Sequence, residues 1–345
     1  MTDIALFTTS IGDCRVLRQY RASDPDVLFI IAGDVSTPHE QVKALCKELG
    51  NAVYLDPQEQ DRLGYKCGDV IGYRSIQRRN IALLEAIRSG ADVVLSIDDD
   101  NAPRSEPETP NYFEALRMEF SHPWGYLVTD ESGWFNLGQL AAAPYVYRGF
   151  PFSLRDGVLR WPEAKRVQPN ERRVGIVNGL IYGDPDINAI DRYPLGGPRV
   201  RHYDVMDSLY VNPRTTWTPV NSQNTAYVRE LAPLAFVLPA VGRYDDIWAS
   251  FMALRVMEAT DYHVLFGEPS VVQERNPHNW LVDLEKEMYG MKHTEAFCAS
   301  LKAVDVDSKR SVLDNLAQVA RGAALLPPQA RHFMSAYLED VARVL

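Results

Sequence analysis

The chain has 345 residues, 46% of them hydrophobic, and carries a formal net charge of −10 with a pI near 5.3. This length fits one large α/β domain, or one domain with an appendage, and provides enough apolar residues for a sizeable core. The acidic balance argues against a surface that binds nucleic acid. The N-terminus lacks a secretory signal pattern, and no apolar run reaches the roughly 18 residues that span a membrane. We therefore expect a soluble, cytoplasmic protein.

The four cysteines are scattered through the chain at positions 14, 46, 67 and 298, and no pair has CxxC spacing. This distribution indicates neither a zinc site nor a disulfide framework. We expect reduced structural thiols, as in a cytoplasmic protein.

Short apolar runs at residues 4–8, 27–32 and 52–55 alternate with helical stretches such as 40–49. This alternation predicts parallel βαβ units. Thr8 and Asp34 lie at the ends of the first two runs, where a nucleotide-binding sheet would place the base and ribose. Ordinary turn chemistry explains each of these residues equally well.

A further apolar run, residues 93–97, is followed directly by Asp98, Asp99 and Asp100. Three like charges at a strand end repel one another unless a positive charge lies among them. Mg²⁺ and Mn²⁺ take hard oxygen ligands and leave room for substrate phosphates, and ligands of open α/β sheets bind beyond the carboxyl ends of the strands. The pattern predicts a metal–diphosphate site. The alternative is an acidic loop that caps the next helix.

The segment 73–89 has apolar residues near the helical period and carries Arg74, Arg78 and Arg79 in its first half. Because it directly precedes the aspartate strand, these arginines could clamp a diphosphate, for which the planar guanidinium is well suited. A solvated basic face is the alternative.

Residues 147–157 have the composition of an ordered loop that carries Arg148 and Arg155. The apolar run 174–182 is interrupted at Asn178 and is followed by Asp184 and Asp186, which are either turn formers or a second acidic lip.

The neutral polar cluster 221–224 could hold sugar hydroxyls or be a simple loop. Asp245 and Asp246 open an apolar helical run, where acidic side chains suit the helix dipole. They could also accept hydrogen bonds from a sugar or act as a base. Residues 283–345 have helical spacing and predict a C-terminal appendage suited to packing or self-association, so we expect a homo-oligomer.

Together these blocks resemble the reversibly glycosylated polypeptides, a family that includes the plant UDP-arabinopyranose mutases. Residues 148–158 nearly repeat the family's RGYPFSLREGV, residues 242–248 are similar to GRYDDMW, and residues 97–100 match IDDD. Weaker likenesses follow around residues 178–186 and 276–287. The blocks keep one order and cover roughly residues 65 to 290.

The resemblance implies a GT-A-like nucleotide-diphospho-sugar fold with a mostly parallel central sheet. It implies a catalytic domain over residues 1–282, a helical C-terminal extension over residues 283–345, and a UDP-sugar substrate. It implies Mn²⁺ or Mg²⁺ on the three aspartates. The family glycosylates itself reversibly on an arginine that matches Arg148, with Arg155 as the next candidate. We expect the nucleotide sugar to contact Thr8, Asp34, Arg74, Arg78, Asp98 and Asn178.

Members of the mutase type interconvert the pyranose and furanose forms of a UDP-sugar, and for that reaction Asp245 and Asp246 are the predicted hydroxyl-orienting or proton-accepting groups. Asn101 and Asn178 replace the family's Cys and His, and no histidine matches the one that could complete a metal site. Gln273 and His278 are the nearby substitutes. A GT-A glycosyltransferase with a separate small acceptor, and a non-catalytic subunit that binds a nucleotide sugar, are the alternative functions.

Overall fold

The computed structural model describes residues 3–105, 111–121, 125–156, 163–167, 173–192, 199–203, 208–273 and 279–345. In this part of the chain eleven strands pair into one sheet. In chain order they are β1 (Ile4–Ser10), β2 (Leu28–Gly33), β3 (Ala52–Leu55), β4 (Val93–Ile97), β5 (Asn101–Pro103), β6 (Gly125–Thr129), β7 (Glu163–Val167), β8 (Arg173–Gly183), β9 (Leu209–Val211), β10 (Asn224–Val228) and β11 (Tyr262–Gln273).

The same residues contain ten α-helices, which cover both faces of the sheet. They are α1 (Leu17–Ser23), α2 (His39–Leu49), α3 (Pro57–Leu63), α4 (Lys66–Ile71), α5 (Arg79–Arg88), α6 (Tyr112–Phe120), α7 (Asp245–Met257), α8 (Trp280–Lys302), α9 (Val312–Gly322) and α10 (Pro328–Val344). The predicted helix 73–89 is shorter, since a 3₁₀ turn over Ile76–Arg78 precedes α5.

Alternate residues of β1 enter two different hydrophobic cores. Ala5 and Phe7 belong to the larger core, whereas Ile4 and Leu6 belong to the smaller one. Successive side chains of a strand point to opposite faces, so the sheet separates the two cores. Helices α1, α2 and α6 supply the smaller core, and α4, α5 and α7–α10 supply the larger one.

The strand order is β3-β2-β1-β4-β10-β8-β11-β9-β6-β7, with β5 paired to β11. The first four strands are parallel, which confirms the predicted βαβ units. Beyond them β10 runs antiparallel to both of its neighbours, and further antiparallel pairs follow. The α/β class is therefore confirmed, but the sheet is mixed. Strands β1–β4 form a continuous parallel part, and the pairs β8–β11 and β6–β9 are also parallel, next to antiparallel pairs.

Strand directions bring distant segments to one edge of the sheet. Asn224 at the start of β10 pairs with Ile97 at the end of β4, and Asn178 in β8 pairs with Thr225. Because β11 runs parallel to β8, its last residue, Gln273, lies toward the same edge. The Asp98–Asp100 loop, the polar loop 221–223 and the end of β11 therefore meet.

The C-terminal segment is helical, as predicted, but it packs into the same core as the sheet. Phe297 of α8 stacks on Trp248 of α7 with ring centroids 4.0 Å apart. The carboxylate of Asp340 in α10 accepts hydrogen bonds from the backbone N–H groups of Lys66 and Cys67, at 3.1 and 2.8 Å. Helices α8–α10 thus complete the larger core instead of projecting from it. Within the described residues, no helix is long and apolar enough to cross a membrane.

Candidate active site

A cavity of about 520 Å³ opens at this edge of the sheet. Its described lining includes the basic residues Arg74, Arg79, Arg148, Arg243 and Lys286, and the acidic residues Asp98, Asp99, Asp100, Asp245 and Asp246. The structure therefore gathers three separate predicted blocks into one place: the aspartate triplet, the arginine loop and the Asp-Asp pair. Such a lining suits a ligand that carries both phosphates and hydroxyls.

Each carboxylate of the aspartate loop has a different partner. Asp98 forms an ion pair with the buried guanidinium of Arg79. Asp99 accepts a hydrogen bond from the Ser10 hydroxyl. The Nε2 atom of Gln273 lies 3.4 Å from both carboxylate oxygens of Asp100. Among the described residues, Arg79 is therefore the arginine that binds this loop, and it binds Asp98.

Burial raises the pKa of the Asp99 carboxyl, and the charge of Asp98 adds to this effect, although the hydrogen bond from Ser10 opposes it. A raised pKa means that the surroundings disfavour the negative charge. A cation beside Asp99 would relieve that penalty.

The aspartate loop has the right donor chemistry for a hard divalent cation. Mg²⁺ is commonly held by one or two carboxylates, with phosphate oxygens and water completing its coordination. However, no group of three or more His, Cys, Asp or Glu side chains is arranged as a metal site within the described residues. His278 lies outside those residues. The three-aspartate metal site therefore stays a prediction, in which a substrate diphosphate would supply the missing ligands.

Arg148 is buried and forms ion pairs with two carboxylates. Its Nε and Nη2 atoms donate to the two oxygens of Asp186, at 2.6 and 2.9 Å, and Nη2 lies 3.3 Å from Oδ1 of Asp246. Burial alone would lower the pKa of the Arg148 guanidinium, but Asp186 and Asp246 more than offset this and hold that pKa well above its ordinary value. The side chain is therefore a permanent cation, which makes it a poor nucleophile.

Asp245 and Asp246, at the start of α7, have different surroundings. Asp246 is buried, and its Oδ2 accepts hydrogen bonds from the backbone N–H and the hydroxyl of Ser222, at 3.1 and 3.3 Å. Asp245 accepts a hydrogen bond from Nε2 of Gln77 at 2.8 Å. Burial, with the charge of Asp246 as a second cause, raises the pKa of Asp245 to about 6. Asp245 is thus suited to exchange protons near neutral pH.

Several predicted ligand residues lie behind the cavity wall. The Thr8 hydroxyl donates to the Ile97 carbonyl at 2.7 Å and so joins β1 to β4. The Asn178 amide donates to the Thr225 hydroxyl at 2.6 Å. Both side chains are buried in the protein, and neither lines the cavity. Hydrogen bonds between strands engage both side chains, so their contact with the nucleotide sugar stays a prediction that the lining of this cavity does not support.

Two predicted arginines also lie outside the cavity. Arg78 is buried and donates to Gln60 at 2.7 Å and to the Gly68 carbonyl at 3.0 Å, so internal hydrogen bonds engage the guanidinium that was predicted to contact a diphosphate. Arg155 forms a bidentate pair with Asp191 at 2.8 and 3.1 Å and stacks over a phenylalanine ring. Arg155 does not line the cavity either, so its catalytic role stays a prediction without support from this site.

Asp34 acts on the cavity indirectly. Its carboxylate accepts hydrogen bonds from the backbone N–H groups of Arg74 and Ser75, both at 2.8 Å. Asp34 therefore fixes the loop from which Arg74 reaches the cavity, and of the predicted arginines 74 and 78 only Arg74 lines it.

The structure adds lining residues that the sequence patterns did not indicate: Gln77, Arg243 and Lys286. Of the three arginines in the first half of the segment 73–89, Arg79 lines the cavity from the first turn of α5, whereas its neighbour Arg78 does not. Lys286 belongs to the segment predicted to be an appendage. Asp186, which turn chemistry also explained, is the main partner of Arg148.

Most side chains of the polar loop 221–224 form hydrogen bonds with other protein groups. Asn221 donates to Asp186 at 3.2 Å and to Gln223 at 2.9 Å, and Asn224 donates to Ser270 at 2.8 Å. Ser222 and Gln223 line the cavity. The loop therefore supports the carboxylates and arginine of the cavity wall more than it forms a separate pocket.

A model of the family "Reversibly glycosylated polypeptide" matches residues 139–321, which is more than half of the chain. This chain belongs to the reversibly glycosylated polypeptide family. The matched region includes the loop of Arg148, the Asp245–Asp246 pair and most of the C-terminal helical segment, whereas the Asp98–Asp100 loop precedes it. The predicted resemblance is confirmed.

Plant proteins are among the relatives that match this chain. The chain is 28% identical over 195 residues to the probable UDP-arabinopyranose mutase 4 of Arabidopsis thaliana, covering 55% of this chain and 43% of that protein. It is 30% identical over 150 residues to the probable UDP-arabinopyranose mutase 1 of Pisum sativum, covering 42% of this chain and 36% of that protein. The matches thus span less than half of the length of these relatives.

Among solved structures, the chain is similar to mannosyl-3-phosphoglycerate synthase from Rubrobacter xylanophilus. The TM-score is 0.40 at 13% sequence identity, and the match covers 87% of this chain and 74% of that one.

Proposed function

We propose that this member of the reversibly glycosylated polypeptide family is a mutase that interconverts the pyranose and furanose forms of a UDP-sugar. The observation that supports this most is the meeting of Arg148, the Asp245–Asp246 pair and the Asp98–Asp100 loop in one cavity. The names of the plant relatives point the same way and make UDP-arabinopyranose the first substrate to test.

The reaction sets clear demands on the cavity. The bond between sugar C1 and the diphosphate breaks, a different hydroxyl oxygen bonds to C1, the bond from C1 to the former ring oxygen breaks, and the diphosphate returns to C1. One hydroxyl loses a proton and the former ring oxygen gains one, so the product has the mass of the substrate. The enzyme must therefore hold the diphosphate while the sugar rearranges, and it must move one proton.

Asp245 is the proposed proton carrier. Its pKa of about 6 lets it accept a proton from the attacking hydroxyl and return it to the former ring oxygen at neutral pH. The Nε2 atom of Gln77 donates a hydrogen bond to Oδ2 of Asp245. Asp246 is occupied by Ser222 and Arg148, so its role is to raise the pKa of Asp245 and to position that wall of the cavity.

The proposal includes Mg²⁺ or Mn²⁺ at the aspartate loop, held by Asp99 and Asp100 together with the diphosphate of the substrate. The cation would stabilise the negative charge that develops on the departing UDP. Asp98 contributes less in this proposal, because Arg79 already neutralises it.

Reversible attachment of sugar to Arg148 is a separate part of the proposal. It would form a bond from C1 to a guanidinium nitrogen and release UDP and a proton. Nε and Nη2 are bound to Asp186, so Nη1 is the nitrogen left for the sugar. Because its carboxylate partners keep Arg148 protonated, we expect attachment to be slow and isomerisation not to wait for it.

The test is incubation of the purified protein with UDP-arabinopyranose and a panel of other UDP-pentoses and UDP-hexoses in Mn²⁺. Chromatography separates nucleotide sugars, and mass spectrometry of the intact protein follows attachment. A UDP-sugar isomer of unchanged mass supports the mutase. An adduct on Arg148 that forms and decays at the turnover rate would contradict our expectation that attachment is slow.

The alternative is a glycosyltransferase that uses a separate small acceptor. The internal hydrogen bonds of the loop 221–224 weaken this alternative, because that loop was its predicted acceptor pocket. Release of UDP that requires an added acceptor, with no isomer formed, would favour the transferase and overturn the mutase.

A further inference from the structure

Two of the cations that line the cavity are not engaged by any group in the described part of the chain. The side chains of Arg74 and Lys286 are exposed, and neither makes a hydrogen bond or an ion pair within the described residues. In contrast, Arg79, Arg148 and Arg243 are each paired with carboxylates. Cations that already have partners contribute little further attraction for an anionic ligand, so the attraction of this cavity for an anion depends mainly on Arg74 and Lys286.

Lys286 is held at the cavity by its backbone. A Cβ atom added to Gly242 would lie 1.9 Å from the carbonyl oxygen of Lys286, and Gly242 has a φ of +63°. Only a glycine fits both the close approach and this backbone conformation without strain. Helix α8 therefore rests directly on the segment that leads into Asp245 and Asp246.

The two residues after Gly242 also bind α8, on both sides of Lys286. Arg243 lies 3.6 Å from Asp283 and 3.1 Å from Glu287, whose side chain is fully buried. Tyr244 packs against Gly290: a Cβ atom added to Gly290 would lie 2.1 Å from the Tyr244 ring. The segment 242–244 thus fixes the position of α8 while the Lys286 side chain stays free.

Arg74 is held in the same manner. The Asp34 carboxylate binds the N–H groups of residues 74 and 75, and Arg74 has a φ of 59°. A left-handed conformation is unusual for a residue other than glycine, so this loop depends on the tertiary structure. Its backbone is fixed and its guanidinium is free, as for Lys286.

We propose that Arg74 and Lys286 form a clamp that binds the two phosphates of the UDP-sugar, one cation from the loop before α5 and one from the C-terminal helical segment. This inference rests on the proposed function, because the diphosphate is that of its substrate. It makes α8 part of the substrate site.

Calorimetric titration of UDP and UMP in Mg²⁺ tests the clamp without requiring turnover. The variants are Lys286→Met and Arg74→Met. The matched controls are Lys292→Met, on an exposed lysine of the same helix, and Arg62→Met, on an exposed arginine of α3; neither control lines the cavity. We expect each clamp variant to weaken UDP binding about tenfold, in line with the loss of a charged hydrogen bond. UMP should lose less, because it lacks the second phosphate.

UDP affinity within twofold of wild type in either clamp variant would overturn the proposal, and so would equal losses in the controls. The test of the clamp can fail or succeed independently of the test of the mutase activity. Strong, clamp-dependent UDP binding without isomer formation would refute the mutase alone. Isomer formation with clamp-independent UDP binding would refute the clamp alone, and a wild-type protein that does not bind UDP would refute both.

Discussion

Arg148 and Asp186 form a bidentate ion pair with N–O distances of 2.6 and 2.9 Å, and both side chains are almost completely buried. The Arg148 backbone N–H also donates to the Asp186 carbonyl at 2.9 Å. These contacts join the arginine loop to the segment that follows β8. The pair therefore belongs to the framework of the cavity as well as to its lining.

Asp186→Asn should lower the free energy of unfolding by about 3–5 kcal/mol, because it leaves a buried guanidinium without its main counter-charge. Chemical denaturation measures this. The control is Glu48→Gln, which breaks the exposed Arg18–Glu48 pair and should change stability far less, because solvent screens an exposed ion pair. Equal effects of the two substitutions would contradict a framework role for Asp186.

Gly242→Ala should destabilise the protein more than Gly64→Ala does. Both glycines have nearly the same backbone conformation, with φ of +63° and +61°, but an added Cβ at Gly64 meets nothing within 4 Å. Gly64→Ala should thus cost only the left-handed penalty of about 1–2 kcal/mol. Gly242→Ala must also displace α8 from its contact at Lys286.

Thermal unfolding compares the two glycine variants, and UDP titration shows whether α8 has moved. We expect weaker UDP binding in Gly242→Ala and wild-type binding in Gly64→Ala. If both variants lost the same stability and bound UDP alike, α8 would not depend on the close contact at Gly242.

Asp245→Asn should remove the acid limb of the pH–rate profile. If the Asp245 carboxylate is the base, wild-type turnover should rise with pH through about 6 and then level, since the pKa of Asp245 is about 6. The variant should be slower by roughly 10²–10⁴-fold and should lack that rise. A variant that keeps both the wild-type rate and the wild-type limb would exclude Asp245 as the proton carrier.

The same substitution has a pH-dependent effect on stability. Because the folded-state pKa of Asp245 is raised, folding disfavours ionisation, and this penalty develops as pH rises from about 4, the ordinary value, to about 6. Asp245→Asn lacks the penalty. The unfolding free energy of Asp245→Asn, relative to that of the wild type, should therefore increase as pH rises across that interval and stay constant at higher pH. A difference that does not change with pH would contradict the raised pKa of Asp245.

Asp99→Asn should abolish the effect of Mn²⁺ on UDP binding. We expect Mn²⁺ to strengthen UDP binding to the wild type, because a cation relieves the charge at Asp99 and bridges to the diphosphate. Asp92→Asn, on an exposed residue at the other end of β4, is the control and should respond to Mn²⁺ like the wild type. Equal UDP affinity with Mn²⁺ and with a chelator in the wild type would exclude the metal site.

The local pattern of the chain was enough to predict the parts that depend on near neighbours. Apolar runs predicted β1, β2 and β4, and the spacing of residues 40–49 predicted α2, since these signals come from the residues of each element. The aspartate triplet after β4 and the Asp-Asp pair before an apolar helix, both singled out by local pattern, line the cavity.

Strand direction was not available from local pattern. An apolar run has the same composition whether its neighbour is parallel or antiparallel, so the sequence did not reveal that β10 reverses between β4 and β8. That reversal brings the loop 221–223 to the aspartates.

The sequence by itself determined which residue types could bind a metal, a diphosphate and a sugar, because carboxylates and guanidinium groups have the same chemistry wherever they lie. The tertiary structure alone decided which of them are available. Arg78 and Arg79 are adjacent in the chain, yet one is buried against Gly68 and the other is paired with Asp98. Lys286 reached the cavity because α8 packs onto the segment 242–244. The direction of a side chain and the partners that it meets depend on contacts between distant segments, which no local pattern contains.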